Sequence, residues 1–335
     1  MVETGAANPA ARTLQIEERL IGETVRQVIA HEIGHALGLP HNMGGSSALP
    51  VDSLRSPSYT ERMGVSPSIM DYARQNYIAQ PGDGVTRFVR KIGPYDRYAI
   101  PWGYRALPTA STPEDERPTL DRWIREKASD PIYRFANGSA VDPSAQTEDI
   151  GDDPVRASSF GMANLKRVTP RLVEWTSTPG LDYTDLSELY GELVQSYNRY
   201  AGHVVTLVGG VYGRTKASDE PGMVYQRVPA AKQRAAMKFF ADEVFTTPTW
   251  LVDENILRRI ENAGALDRIR QIQASFVNRL LDPARMQRLT EAEAYAPRDA
   301  YRLPAMLEDL RAGIWTADLA AAGPIDLWRR NLQRA

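Results

Sequence analysis

The sequence predicts a mainly α fold: one early helix, then long irregular loops, then a helical region. Three observations carry this. Apolar residues recur at helical spacing through most of the second half. Convincing strands are scarce throughout. Residues 42–68 are rich in Gly, Ser and Pro, and residues 76–118 in Pro and aromatics. A length of 335 residues suits one large domain or two modest ones. A composition change near residue 135 divides the chain into an expected first portion, 1–135, and a helical C-terminal region, 136–335.

Taken in order, residues 1–13 read as coil. Over residues 14–37, Val25, Val28, Ile29, Ile33, Ala36 and Leu37 recur at helical spacing, and Gly38 then Pro40 stop the helix. The stretch NMGGSSALPVDSLRSPSYTERMGVSPS is an ordered but irregular excursion, and GPYDRYAIPWGY is a packed loop or short helix. Further helices are expected at 119–129, 157–168, 186–208, 229–244, 253–262, 265–281, 283–294 and 303–312, with an acidic loop over 136–157.

Composition narrows the chemistry. Hydrophobic residues make up 42% and charged residues 24%, which is ordinary for a chain with a core. A formal net charge of −2 gives no reason to expect nucleic acid or an anionic membrane as partner. The absence of cysteine excludes disulfides and thiolate metal sites, so any metal must be held by His, Asp, Glu, Tyr or backbone oxygen. No run approaches the ~18 apolar residues of a membrane helix; the longest apolar patch, 204–212, is interrupted by Thr206 and two glycines. The opening MVETGAANPAART lacks the basic start and apolar stretch of a signal peptide and reads as a piece of loop.

Three of the four histidines fall within AHEIGHALGLPHN. His31 and His35 are one turn apart on one helix face, about 6 Å along the axis, so both can reach one ion. Glu32 is rotated away from them, placed to approach a water rather than to bind the metal. Gly38 can adopt a left-handed conformation and turn the chain so that His41 reaches the same ion. Three neutral imidazoles leave the fourth position of tetrahedral zinc open for water. Zinc would lower the pKa of that water toward ~7 and polarise a carbonyl. Glu32 would take the water proton and deliver it to the leaving amine. The bland reading is a polar helix face that happens to carry two histidines. Against it, the helix stops where the motif HExxHxxGxxH requires.

This segment resembles the metzincin clan of zinc peptidases, and the helix 14–37 then becomes a zincin-like active-site helix. In that clan a methionine-containing turn lies under the metal, and SIMDY at 68–72 fits it. The resemblance makes Met70 the apolar floor beneath the histidines; an ordinary core methionine is the alternative. It also implies, from the astacin- and serralysin-like branches, that Tyr72 binds the metal or donates to the tetrahedral intermediate; a buried aromatic with a locally satisfied hydroxyl is the alternative.

A closer resemblance covers nearly the whole chain. HEIGHALGLPHNMGGSSALPVDSLRSP, SIMDYARQNYIAQPGDGV, IGPYDRYAIPWGY, DPSAQTEDIGDDPVRAS, FGMANLKRV and TPTWLVDENIL look like the EcxA-like Met-zincins, large bacterial zinc-dependent metalloproteases. That implies one catalytic Zn2+, a protein or peptide substrate, and a secreted or periplasmic location for the full-length protein. In metzincins a mixed sheet precedes the active-site helix and pairs with the extended substrate. Only about twenty residues precede it here, too few for several strands of ~5 residues. The expectation is therefore a C-terminal part of a longer protein, without the upper mixed sheet.

The loop carboxylates Asp142, Glu148, Asp149, Asp152 and Asp153 can be read as a Ca2+ site. Their spacing is not that of an EF-hand, and capping of the helix after Pro154 explains the last two more cheaply. His203, alone on an apolar helix face, reads as a hydrogen-bonded core residue. Three functions fit: a zinc endopeptidase, a truncated zinc-binding scaffold or interaction module that does not cleave, and a zinc-water hydrolase of a non-peptide amide.

Overall fold

A computed structural model of the chain describes residues 4–12, 17–315 and 331–333. The expected coil at residues 1–3 and 13 and the expected helix start at 14–16 lie outside these residues. The first helix, α1, runs Glu18–Ala36. Its apolar stripe signals the helix but is not the face it buries. Ile21, Val25, Val28, Ile29 and Ile33 are 48–53% exposed. The inward face is instead polar and small, carrying Gln27, His31 and Gly34.

The following stretch contains two short helices, α2 (Pro57–Met63) and α3 (Pro94–Tyr104), and then α4 (Pro113–Lys127). Its irregular parts are pinned by buried amides and carboxylates that satisfy main-chain groups no ladder serves. The Asn76 side chain donates to Leu54 O at 2.7 Å and accepts from the backbone of Ile78 and Ala79. From the later helical region, Asn164 donates to Tyr77 O and Ala79 O.

That region comprises α5 (Pro154–Val168), α6 (Leu172–Thr176), α7 (Thr184–Val205), α8 (Ala230–Phe239), α9 (Glu254–Ile260), α10 (Ala265–Leu280), α11 (Pro283–Tyr295) and α12 (Leu303–Ile314). Helix α8 runs on into a wider π turn, Phe240–Phe245. The periodicity locates most of these helices well, because each presents a sustained apolar face to a common core. Helices α5 and α7 pack along each other at its centre. Tyr200 from α7 stacks on Tyr77 with ring centroids 4.4 Å apart, joining the loop-rich first part to the helical part. Phe240 meets Phe245 and Phe276 at 5.8 and 5.4 Å. Each such fully buried side chain contributes ~1.5–3 kcal/mol. One apolar cluster includes Leu49, Leu54 and Ile78 together with Leu165, Leu193 and Phe276, residues on both sides of position 135.

The sheet among the described residues is a single antiparallel pair, β1 (Val211–Gly213) with β2 (Tyr225–Arg227), in register Val211↔Arg227. Among the described residues the fold is thus mainly α, without the upper mixed sheet expected of a full metzincin. Helix α1 contacts the irregular stretch through residues 66–90, and the histidines lie at that contact.

Candidate metal centre

Helix α1 ends in a hydrogen-bonded C-cap. Gly38 takes φ +80°, its N–H donates to His35 O at 2.9 Å, and Leu39 N–H donates to Gly34 O at 3.0 Å. A side chain at position 38 would be strained, so the glycine lets the chain reverse and carry His41 back over the helix. The side-chain nitrogens of His31, His35 and His41 that face one another all lie within 4.8 Å. His35 Nε2 and His41 Nε2 are 3.0 Å apart.

The backbone fixes the ring orientations. His31 Nδ1 lies 2.8 Å from Ile69 O, and His35 Nδ1 lies 2.9 Å from Leu39 O. A carbonyl can only accept, so both Nδ1 atoms are the protonated ones and both Nε2 lone pairs are left for a cation. Burial holds His41 below the ordinary histidine range, helped by His35 and His31, which favours the neutral form a ligand needs. Three neutral nitrogen donors with room for a fourth ligand match the donor set of a catalytic zinc. These residues fit the ion.

Residues 68–72 pack against α1 at the histidines. Asp96, buried at the start of α3, accepts from Ser68 Oγ at 2.7 Å, from Ile69 N at 2.8 Å and from Gly93 N at 2.7 Å. Ile69 O in turn receives His31. Met70 is fully buried, with its thioether against Gly34 on the helix between His31 and His35. Asn42, next to His41, donates to Arg134 O at 2.9 Å and accepts from Ala136 N at 3.0 Å, while its own N–H donates to Met70 O at 3.1 Å. The third histidine is thereby tied both to residues 68–72 and to residues 134–136.

Tyr72 is 42% exposed, its ring centroid 4.2 Å from that of His41 and 5.5 Å from that of His31. Glu32 is exposed and close enough to His41 to act on it electrostatically. His203 stands elsewhere, buried on α7 with Nε2 3.0 Å from Thr147 O, and burial pushes it down to about 4. The site therefore brings together His31, His35, His41, Glu32, Tyr72, Gly38 and Met70. Sequence reasoning missed Gly34, Asn42 and Asp96. The first two sit inside or beside the histidine motif and were there to be read; Asp96 has no local signal.

A match to the Met-zincin family spans residues 13–321, nearly the whole chain, histidine motif included. The chain belongs to the Met-zincin family. Met-zincins are metzincin-type zinc metallopeptidases, so zinc is the ion this family implies for the three histidines, and peptides are its implied substrates. No match was found among curated proteins or among solved structures. Among the described residues, no helix is long and apolar enough to cross a membrane.

The acidic loop gives calcium no support. Asp153 caps α5, accepting from Val155 N and Arg156 N, both at 3.1 Å. Asp152 accepts from Val51 N, Asp142 pairs with Arg134, and Glu148 is held by Arg74 and Arg199. Asp149 is buried beside Ser46.

Proposed function

We propose that the chain is a zinc-dependent endopeptidase in which His31, His35 and His41 hold the ion. The observation that carries this is the convergence of three imidazole nitrogens within 4.8 Å, with Glu32 beside the first and the Tyr72 ring over the third. A zinc ion held there would supply Lewis acidity and an acidified water. Glu32 accepts the proton of the attacking water and returns it to the leaving amine. Tyr72 donates a hydrogen bond from its phenol to the oxyanion that forms as the carbonyl is attacked, and keeps its proton. Gly38 turns the chain so that His41 arrives, and Met70 supplies a dry floor that keeps the histidine rings from sagging. Residues 1–135 carry this chemistry and residues 136–335 buttress it. The protein acts in the periplasm or outside the cell, as the resemblance to Met-zincins suggests.

The presence of only a two-stranded sheet among the described residues favours a second reading, a zinc-binding scaffold that does not cleave. Incubating the zinc-loaded chain and its Glu32→Ala variant with a mixed peptide library separates the two. Internal cleavage by the parent and not by the variant supports the peptidase. Stoichiometric zinc with no cleavage by either leaves the scaffold.

A further inference from the structure

A cleft of about 570 Å³ opens beside the histidines, within the range of ligand sites. It is lined by Gln27, Tyr72, Arg74, Arg90, Thr147 and Glu148 among others. Three observations join it to the metal centre. Tyr72, whose ring lies over His41, forms part of its wall. Gln27 sits one helical turn before His31 and accepts from Arg90 N at 2.9 Å. Ile69 O, the acceptor of His31 Nδ1, also accepts from Arg90 Nη1 at 3.3 Å.

The charges in this cleft are unevenly used. Glu148 is held by Arg74 at 2.9 Å and by Arg199 at 2.7 Å. It pays for that position with φ +64°, the single positive φ at a non-glycine residue among those described. Its charge is therefore spent. Arg90 is different. Among the described residues its guanidinium makes that one long hydrogen bond and no ion pair, and its Nε is buried with no partner. Asp71 acts on it only through space: its Oδ2 accepts from Ser46 and Ser66, and its buried Oδ1 takes no hydrogen bond, from Arg90 or any other described residue. An orphaned donor on a half-buried cation is costly, a cost that a purely structural strut would not need to carry. A planar fork of N–H groups with capacity left over matches a carboxylate.

We propose that Arg90 is the specificity residue of this cleft and that it recognises a carboxylate on the substrate peptide, next to the bond held at the three histidines. This rests on the peptidase reading for the identity of the substrate. The carboxylate comes either from an Asp or Glu side chain, which fits internal cleavage, or from a free C-terminus, which would make the cleavage carboxy-terminal; both present the same two oxygens.

The test uses the full zinc-loaded chain carrying Glu32→Gln, so that binding is read without turnover. The probes are C-terminally amidated decapeptides identical except for Glu or Gln at one position, scanned along the peptide, and a Gln peptide with free or amidated C-terminus. Dissociation constants are measured by fluorescence anisotropy. At one position, or at the free C-terminus, the carboxylate form should bind at least about tenfold tighter, the scale of a charge-assisted hydrogen bond. The preference should shrink as salt is raised. Adding Arg90→Gln should abolish it by bringing the carboxylate peptide down to the affinity of its neutral counterpart, with helix content and bound zinc as in the parent, a split that loss of structure would not produce. Arg90→Lys, which keeps the charge without the fork, should retain neutral-peptide binding and lose most of the preference. Removing the already paired Arg74 by Arg74→Gln should leave the preference in place. Equal binding of all probes, no binding of any, or a preference that survives Arg90→Gln would overturn the proposal. A clear preference in the binding assay with no cleavage by the parent would sink the peptidase reading and leave the carboxylate site standing.

Discussion

The sulfur of Met70 fills the space that a side chain on Gly34 would occupy. The helix and the turn beneath it are thus in contact with nothing between them, at a point flanked by His31 and His35. Gly34→Ala should force Met70 or the helix to move, at a cost of about 1–3 kcal/mol in unfolding free energy. Met70→Ala should cost about 2–5 kcal/mol through the cavity it leaves. Urea denaturation of both variants reads these costs. A Gly34→Ala protein as stable as the parent would show the contact to be loose.

Metal content follows from the histidine geometry. Elemental analysis of the purified chain should find about one zinc per chain, and His31→Ala, His35→Ala or His41→Ala should each remove it. Chelation should lower the thermal midpoint reversibly, since free zinc at about a hundred times its dissociation constant adds about 2.7 kcal/mol of stability. A midpoint indifferent to chelator would mean that no ion is bound at these rings.

Asp96 and Asn42 lie outside the histidine cluster, yet each is bonded to backbone that positions one of its rings. Asp96→Ala frees the backbone of residues 68–70 and with it the carbonyl that fixes His31. Asn42→Ala releases the segment bearing His41 from residues 134–136. Each should weaken zinc binding by about 10–100-fold while leaving the helix content unchanged. Competition with a chromogenic chelator measures the first and circular dichroism the second.

A pH dependence is built into the metal-free fold. Burial, and then the neighbouring Asp71, push Asp149 up to about 8 from an ordinary 3.8. The folded chain therefore holds a proton there that the unfolded chain releases, and the stability so gained is complete near pH 4 and is lost as the pH rises to about 8. His203 runs the opposite way: pushed down to about 4 by burial, it contributes stability that is present above 6.5 and lost as the pH falls toward 4. The two oppose each other below about pH 6.5, and Asp71, raised to about 6, acts only in that lower range. From about pH 6.5 to 8, Asp149 acts without these two opposing or adding. The urea midpoint of the chelated chain should fall across that window, and Asp149→Asn should flatten the fall. A midpoint that rises there would contradict the assignment.

Most of the architecture was legible where sequence and packing obey one rule. Helix α10 spans Ala265–Leu280 against an expected 265–281, because its apolar positions all meet one core. The π turn after α8 and the three-residue strands β1 and β2 were not legible. The strands are too short for alternation, and all three residues of β2 are exposed. At the site, residue types and spacing carried the meeting of the three histidines, since a helical turn and a glycine reversal are local geometry. The supports were hidden because they are long-range. Asp96 reaches Ile69 across 27 positions and Asn42 reaches Arg134 across 92. Arg90 looks like any other arginine until its unfilled Nε is seen.

The bare flank of α1 has a kinetic consequence. With Ile21, Val25, Val28, Ile29 and Ile33 facing water, only the inward side of this rod is clamped, and the clamp is strongest at Gly34. Amide protons in its first two turns should exchange with deuterium soonest, and those from His31 onward last. Local opening would then fray the rod from its leading end and reach the imidazoles only after the sulfur beneath them lets go.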